Sequence, residues 1–181
     1  SYPTHCVWQC EEPFGGGAAP TWITDLDQDS RREMLFTKSG KFIYIFENIA
    51  NNKYTRVWRD SLWTPYGAIG QTCNADFDLD GKMEFVTSDS DGNVIVFENT
   101  VVGVDSFAIT WTGSVPTRTA YSVAAANDMD QDGKPEFVIG GSHPAGGGRR
   151  HVFTVFESTG DDRYESVWMD SSLASGLLKL N

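Results

Sequence analysis

Three groups of carboxylates recur along the chain with the spacing of a cation-binding loop. Each group has acidic residues at positions 1, 3, 5 and 9, and the first aspartates lie 51 and then 52 residues apart. Four carboxylates in one tight loop repel one another unless a cation neutralises them. An all-oxygen set of this size favours Ca²⁺ over Mg²⁺ or Zn²⁺. The predicted ligands, for two or three Ca²⁺ per chain, are Asp25, Asp27, Asp29 and Glu33; Asp76, Asp78, Asp80 and Glu84; and Asp128, Asp130, Asp132 and Glu136.

The acidity of the chain follows mainly from these loops. The formal net charge is −11, and the loops hold twelve of the 25 acidic residues, so three bound Ca²⁺ would bring the charge to −5. No basic stripe is present to neutralise phosphates, which argues against nucleic acid as a partner. No apolar run approaches the roughly 20 residues that span a bilayer, so no membrane insertion is expected.

Calcium use indicates the compartment. Free Ca²⁺ is abundant only outside cells, where sites of modest affinity fill, so an extracellular or cell-surface protein is expected. No signal-peptide pattern or initiator Met is seen, and Ser1 is expected to begin a processed chain or a fragment. Cys6 and Cys10 would lie about 13 Å apart on an extended strand, too far to bond to each other. Cys73 could pair with either, or all three could be buried thiols.

Aligning the acidic loops places the rest of the chain in a repeat of about 52 residues. Each unit has four short segments rich in β-branched and aromatic residues, separated by Gly, Asn, Asp and Ser. Four strands per unit of this length is typical of a β-propeller blade. We therefore predict one all-β repeat domain, residues 1–181, with three four-stranded antiparallel blades at 20–60, 67–112 and 120–169.

The ends of the chain are out of phase with these blades. Residues 5–9 are predicted to be the outer strand of a preceding blade, and residues 170–181 a tail or the start of a following one. Propellers close with roughly four to eight blades, and three cannot complete the ring. The chain is thus expected to be a partial propeller that belongs to a longer polypeptide or is completed by oligomerisation.

The pattern D-x-D-x-D-G-x-x-E, followed by a short apolar strand and a hairpin to a strand ending in Phe-Glu, resembles the FG-GAP/VCBS repeats of integrin α-subunit propellers and secreted bacterial proteins. Residues 21–168 carry the resemblance. It implies Ca²⁺ between the first two strands of each blade, with the carbonyls of Arg31, Lys82 and Lys134 as further ligands. Position 6 is glycine in the later loops but Ser30 in the first, so the first site is expected to bind most weakly.

The EF-hand is the competing calcium loop, and the spacing argues against it. An EF-hand requires a bidentate Glu at position 12. That position holds Phe36, Thr87 and Ile139 in the three loops, and the flanking segments are strands.

Aromatic and basic residues outside the loops offer candidate contacts. Trp8, Trp58, Trp111 and Trp168 occupy equivalent blade positions, and we expect them to pack between neighbouring sheets rather than to stack on sugars. The candidates for ligand binding are Trp63, Tyr66, His143, Arg149 and Arg150. The last three belong to an enlarged turn of the third unit, in which arginine could hold a carboxylate or sulfate.

Catalysis is not expected, because the paired carboxylates are committed to metal and no nucleophilic triad, zinc or phosphate-loop motif is present. The sequence favours a secreted or surface-displayed structural or adhesive module that contacts itself or another surface protein. The alternative is a carbohydrate-binding propeller module, either lectin-like or the non-catalytic part of a polysaccharide-active enzyme, with a glycan as partner.

Overall fold

The computed structural model describes residues 18–38, 42–62, 69–117, 119–145 and 148–171. These residues form three four-stranded antiparallel sheets, which confirms the predicted all-β fold of propeller-type blades. No helix in these ranges is long and apolar enough to cross a membrane. The strands are β1 (Ala18–Thr24), β2 (Glu33–Lys38), β3 (Phe42–Ala50), β4 (Lys53–Ser61), β5 (Ile69–Ala75), β6 (Glu84–Asp89), β7 (Asn93–Asn99), β8 (Phe107–Ser114), β9 (Thr119–Asn127), β10 (Glu136–Ala145), β11 (Gly148–Gly160) and β12 (Arg163–Asp170).

Each sheet is built from four consecutive strands, paired in chain order. We call them the first blade (β1–β4), the second blade (β5–β8) and the third blade (β9–β12). The inner strands carry continuous apolar runs, as in Ile43–Phe46 of β3, because both of their faces are covered. The outer strands β4 and β8 are largely exposed or half-buried, since each has one uncovered face.

Two hydrophobic cores join the blades, and the second blade contributes to both. Between the first and second blades, Trp58 lies edge-on to Phe97 and Phe107, with ring centroids 5.7 and 5.5 Å away. Between the second and third blades, Trp111 makes the same type of contact with Phe156 and Tyr164, at 5.6 and 5.5 Å. The prediction that these tryptophans pack between sheets is therefore confirmed for both.

The same prediction is wrong for Trp168, which is 53% exposed on β12. Its position in the third blade is equivalent to that of Trp58 and Trp111. The described residues contain no fourth sheet to cover it, so the ring stays in solvent. Trp8 lies outside the described residues.

Two turns show how the hairpins between second and third strands differ. In the second blade Gly92 has φ of 87°, and a Cβ there would lie 2.5 Å from the carbonyl oxygen of Val115, so the turn requires glycine. In the third blade the enlarged segment continues both strands, pairing out to Ala145 and Gly148. The inserted residues therefore lengthen a hairpin.

Of the three cysteines, Cys73 lies among the described residues. Cys73 is a free, fully buried thiol in the core between the second and third blades. Burial raises the pKa of this thiol far above its usual range. Cys6 and Cys10, the predicted strand at 5–9, and residues 172–181 all lie outside the described residues.

Candidate metal centres

Each acidic loop connects the first strand of a blade to the second and draws its four carboxylates together. In all three loops, one oxygen from each of the four acidic side chains lies within 4.8 Å of the others. Strand ends fix this arrangement: the loops begin directly after β1, β5 and β9, and their ninth residue opens β2, β6 and β10. The predicted carboxylate quartets are thus gathered into three compact groups.

Left-handed backbone at positions 4 and 6 makes the loops tight. Position 4 is Gln28, Leu79 and Gln131 in the three loops, with φ of 66°, 64° and 66°. At position 6, φ is 77° at Ser30 and 93° at Gly81 and Gly133. Serine does adopt the strained conformation that glycine takes in the other loops.

Backbone hydrogen bonds orient the aspartates. The amide of position 6 donates to the Oδ2 of position 1, at 3.0 Å from Ser30 to Asp25 and 3.1 Å from Gly81 to Asp76. The third loop repeats this bond at 3.0 Å. Each first aspartate is therefore held by one oxygen, which leaves its other oxygen available to a cation.

The ninth residue of each loop is a buried glutamate with one unpartnered oxygen. The Oε2 atoms of Glu33 and Glu84 each accept the amide of position 2 at 2.5 Å, and that of Glu136 does so at 2.7 Å. All three Oε1 atoms are buried without a hydrogen-bond partner, as are the Oδ1 atoms of Asp25 and Asp76. Buried carboxylate oxygens without partners are costly unless a cation binds them, so these donors fit a hard metal ion.

Without metal, these glutamates hold their protons tightly. Burial raises the pKa of Glu33 to about 8 and that of Glu84 to about 9, with further contributions from the neighbouring aspartates. Burial also raises the pKa of Glu136, with Asp130 and Asp128 contributing. Neutral glutamates would reduce the repulsion in a metal-free loop.

The basic residue at position 7 has a role that the sequence prediction missed. We predicted only its carbonyl as a ligand, but its side chain pairs with a glutamate near the end of the third strand. Arg31 Nη1 lies 2.6 Å from Glu47 Oε1, and Lys82 Nζ lies 2.7 Å from Glu98 Oε1. Lys134 and Glu157 form the third pair. The Phe-Glu ending of each third strand was the available signal, 16 residues after the basic residue in the first two blades and 23 residues after it in the third.

The following blade covers the first two loops but not the third. The amide of Gly103 donates to the carbonyl of Asp27 at 2.5 Å, and the amide of Asp162 donates to Asp78 Oδ2 at 2.8 Å. At loop position 2, Leu26 and Phe77 are 1% and 0% exposed, whereas Met129 is 58% exposed. The third loop therefore faces solvent.

The other candidate ligand residues remain predictions. His143 and Arg150 face each other across the β10–β11 hairpin, and both are exposed. Trp63 and Tyr66 lie outside the described residues, and the side chain of Arg149 is also outside them. Among the described members of this set, the structure brings together His143 and Arg150.

One stretch of the chain is similar to a known protein family. Residues 76–139 match the model of the FG-GAP-like repeat. The matched stretch runs from the first aspartate of the second loop to Ile139 in β10, and so spans one complete repeat period. No curated protein matches the chain.

Proposed function

Starting from the FG-GAP-like repeat carried by residues 76–139, we propose that the chain is a calcium-binding structural module of an extracellular or cell-surface protein. Each ion is held in the loop between the first two strands of a blade. The observation that carries this proposal is the buried, unpartnered Oε1 of Glu33, Glu84 and Glu136 in the three equivalent loops. A structural ion explains why a carboxylate oxygen is buried at the same place in every blade.

Calcium suits these loops better than other common cations. Every side-chain donor is a carboxylate oxygen, and Ca²⁺ accepts six to eight oxygen ligands with flexible geometry. Mg²⁺ keeps several waters, and Zn²⁺ prefers nitrogen and sulfur. Sites of modest affinity fill where free Ca²⁺ is high, which supports a location outside the cell.

In this role the ion stabilises the fold and performs no chemistry. It neutralises four carboxylates that repel each other and fixes the turn between the two strands. Since the unfolded chain has no preformed site, the binding free energy contributes to folding. Carboxylates that hold metal are poor proton donors, which supports a non-catalytic role.

The uncovered face of the third blade is the part of the proposed module that contacts a partner. It forms an apolar groove of about 610 Å³, lined by Val138, Phe153, Val155, Val167 and Trp168. Trp168 and Met129 are each more than half exposed there. On the first and second blades the same face is covered by the next sheet. The groove therefore continues an interface that the chain already uses twice.

We assign a second copy of the chain as the occupant of this groove. Trp58 packs on Phe85, Phe97 and Phe107 of the second blade. The equivalent residues of the first blade are Met34, Phe46 and Tyr54. Met34 and Tyr54 are half-buried and line a groove of about 390 Å³. If Trp168 of one copy packs on these three residues of another, it repeats the contact that Trp58 makes with the second blade. The two copies are then arranged head to tail.

Native mass spectrometry of the chain in Ca²⁺ and then in chelator tests both parts of the proposal. We expect oligomers that carry Ca²⁺, with Trp168→Ala reduced to monomers that retain their ions. Ile109→Ala, which removes another exposed hydrophobic side chain (46% exposed), is the matched control and should remain oligomeric. A metal-free chain would contradict the calcium assignment. Monomers with bound Ca²⁺, combined with saturable glycan binding lost in Trp168→Ala, would replace self-association with the carbohydrate-binding alternative.

A further inference from the structure

A second group of carboxylates lies where the third blade meets the acidic loop of the second. Asp162 sits in the β11–β12 turn with φ of 56°, and its amide donates to Asp78 Oδ2. The carboxylates of Asp78, Glu98 and Asp162 each place an oxygen within 4.8 Å of the other two. The group therefore joins three separate segments of two blades.

Glu98 and Asp162 each have a buried carboxylate oxygen without a hydrogen-bond partner. Glu98 is 4% exposed; its Oε1 accepts Lys82 Nζ at 2.7 Å, but its Oε2 is buried without a hydrogen-bond partner. The Oδ1 of Asp162 is also buried and unpartnered. Two such oxygens within one group of carboxylates at a blade junction are strongly unfavourable unless a cation binds the group.

Charge at this junction exceeds what the loop ion and Lys82 can neutralise. The second loop and the groups around Glu98 overlap and together hold seven carboxylates: Asp76, Asp78, Asp80, Glu84, Glu98, Asp161 and Asp162. A divalent ion in the loop and the ammonium of Lys82 supply three positive charges. An additional divalent ion would leave a small residual charge.

We propose that a second cation, of the hard divalent class represented by Ca²⁺, binds between the second and third blades to Asp78, Glu98 and Asp162. Asp78 belongs to the loop quartet as well, so its carboxylate bridges the two ions. Oxygen-only donors suit Ca²⁺, and water completes the coordination. This site depends on the proposed calcium loops only because Asp78 belongs to both groups.

The junction between the first and second blades offers a contrast. Asp105 lies near Asp27 and Glu47, which help burial to raise its pKa to about 6. Among the described residues, however, no comparable group of three carboxylates includes Asp105. The additional ion is therefore specific to the second junction.

The consequence is that an ion bound by one blade also holds the next. Glu98 belongs to β7, and Asp162 to the turn that ends β11. A cation between them would tie the third blade to the second at the edge where the loops lie. Its loss would loosen that junction while the loop ion remained.

Counting bound ions by native mass spectrometry in saturating Ca²⁺ tests the site. Asp162→Asn keeps the backbone amide and the side-chain size but removes the charge, and Glu98→Gln does the same from the other blade. Both should carry one ion fewer than the wild-type chain. Asp91→Asn, in the β6–β7 turn, makes the same charge change elsewhere and should retain the wild-type count.

The other outcomes overturn the site. Equal counts in all four proteins, with ions still bound, would refute it and leave the loop sites standing. If Asp91→Asn also binds one ion fewer, the number of bound ions follows the net charge of the chain and not a specific site. Chains without any bound ion would reject this site and the proposed calcium loops together.

Discussion

The indole of Trp111 lies edge-on to the phenol ring of Tyr164, with centroids 5.5 Å apart and ring planes at 71°. The ring pair connects β8 of the second blade to β12 of the third. Trp58 and Phe107 meet across the first junction with nearly the same geometry, 5.5 Å and 73°. Edge-to-face pairs of this kind add stabilisation beyond the area that they bury.

Removing one of these tryptophans should destabilise the fold, because it leaves a cavity in the core between two blades. We expect Trp111→Ala to lower the free energy of unfolding by about 3 kcal/mol or more. Trp168→Ala, at the equivalent but 53% exposed position, should change it by less than about 0.5 kcal/mol in the monomer. Urea unfolding of both variants measures the difference; equal losses would contradict the packing role of Trp111.

Calcium removal should lower the melting temperature strongly, because Ca²⁺ binds the loops only in the folded chain. At a concentration 100 times its dissociation constant, each ion contributes about 2.7 kcal/mol. Differential scanning calorimetry in Ca²⁺ and in chelator measures the effect. A Glu84→Gln chain should show a smaller shift on chelation, and an unchanged wild-type melt would rule out a folding role for the ion.

The first loop should be the weakest calcium site, because Ser30 takes a left-handed conformation with φ of 77°. Ser30→Gly should relieve about 1 kcal/mol of strain and tighten the weakest Ca²⁺ step about five-fold. Gly81→Ser is the reverse change and should weaken a site by a similar factor. Isothermal titration calorimetry resolves these steps, and an unaltered weakest step in Ser30→Gly would place it in another loop.

Stability of the metal-free chain should fall as pH rises. The pKa values of Glu33 and Glu84, about 8 and about 9, lie above their ordinary value of 4.5 because the side chains are buried. The folded state therefore binds these protons more tightly, and the stability they contribute is complete below about pH 4.5. It is lost as pH rises through 8 to 9.

Thermal melts in chelator between pH 5 and 9 measure this trend. Glu84→Gln, which cannot ionise, should show a shallower dependence on pH. Bound Ca²⁺ requires ionised glutamates, so its stabilising effect should grow over the same range. A metal-free melting temperature that rises with pH would show that these carboxyls are already ionised in the folded chain.

The loops and the blade repeat could be predicted from the sequence because both depend on local spacing. The αL conformation of Leu79 was not predictable, since leucine gives no local preference for it. The contact of Asp162 with Asp78 joins residues 84 positions apart, so it depends on how two blades pack. Trp168 shows the same limit, because its exposure depends on the neighbouring sheet and not on its own segment.

The second blade is the central element of the described structure. Every residue of β6 is buried, and so is all of β7 after Asn93. One face of this sheet completes the core with Trp58 and the other completes the core with Trp111. A destabilising substitution in β6 thus weakens the packing of both neighbouring blades. The three sheets should therefore unfold in a single cooperative transition. Damage confined to β12 should instead detach one end and leave the remainder intact.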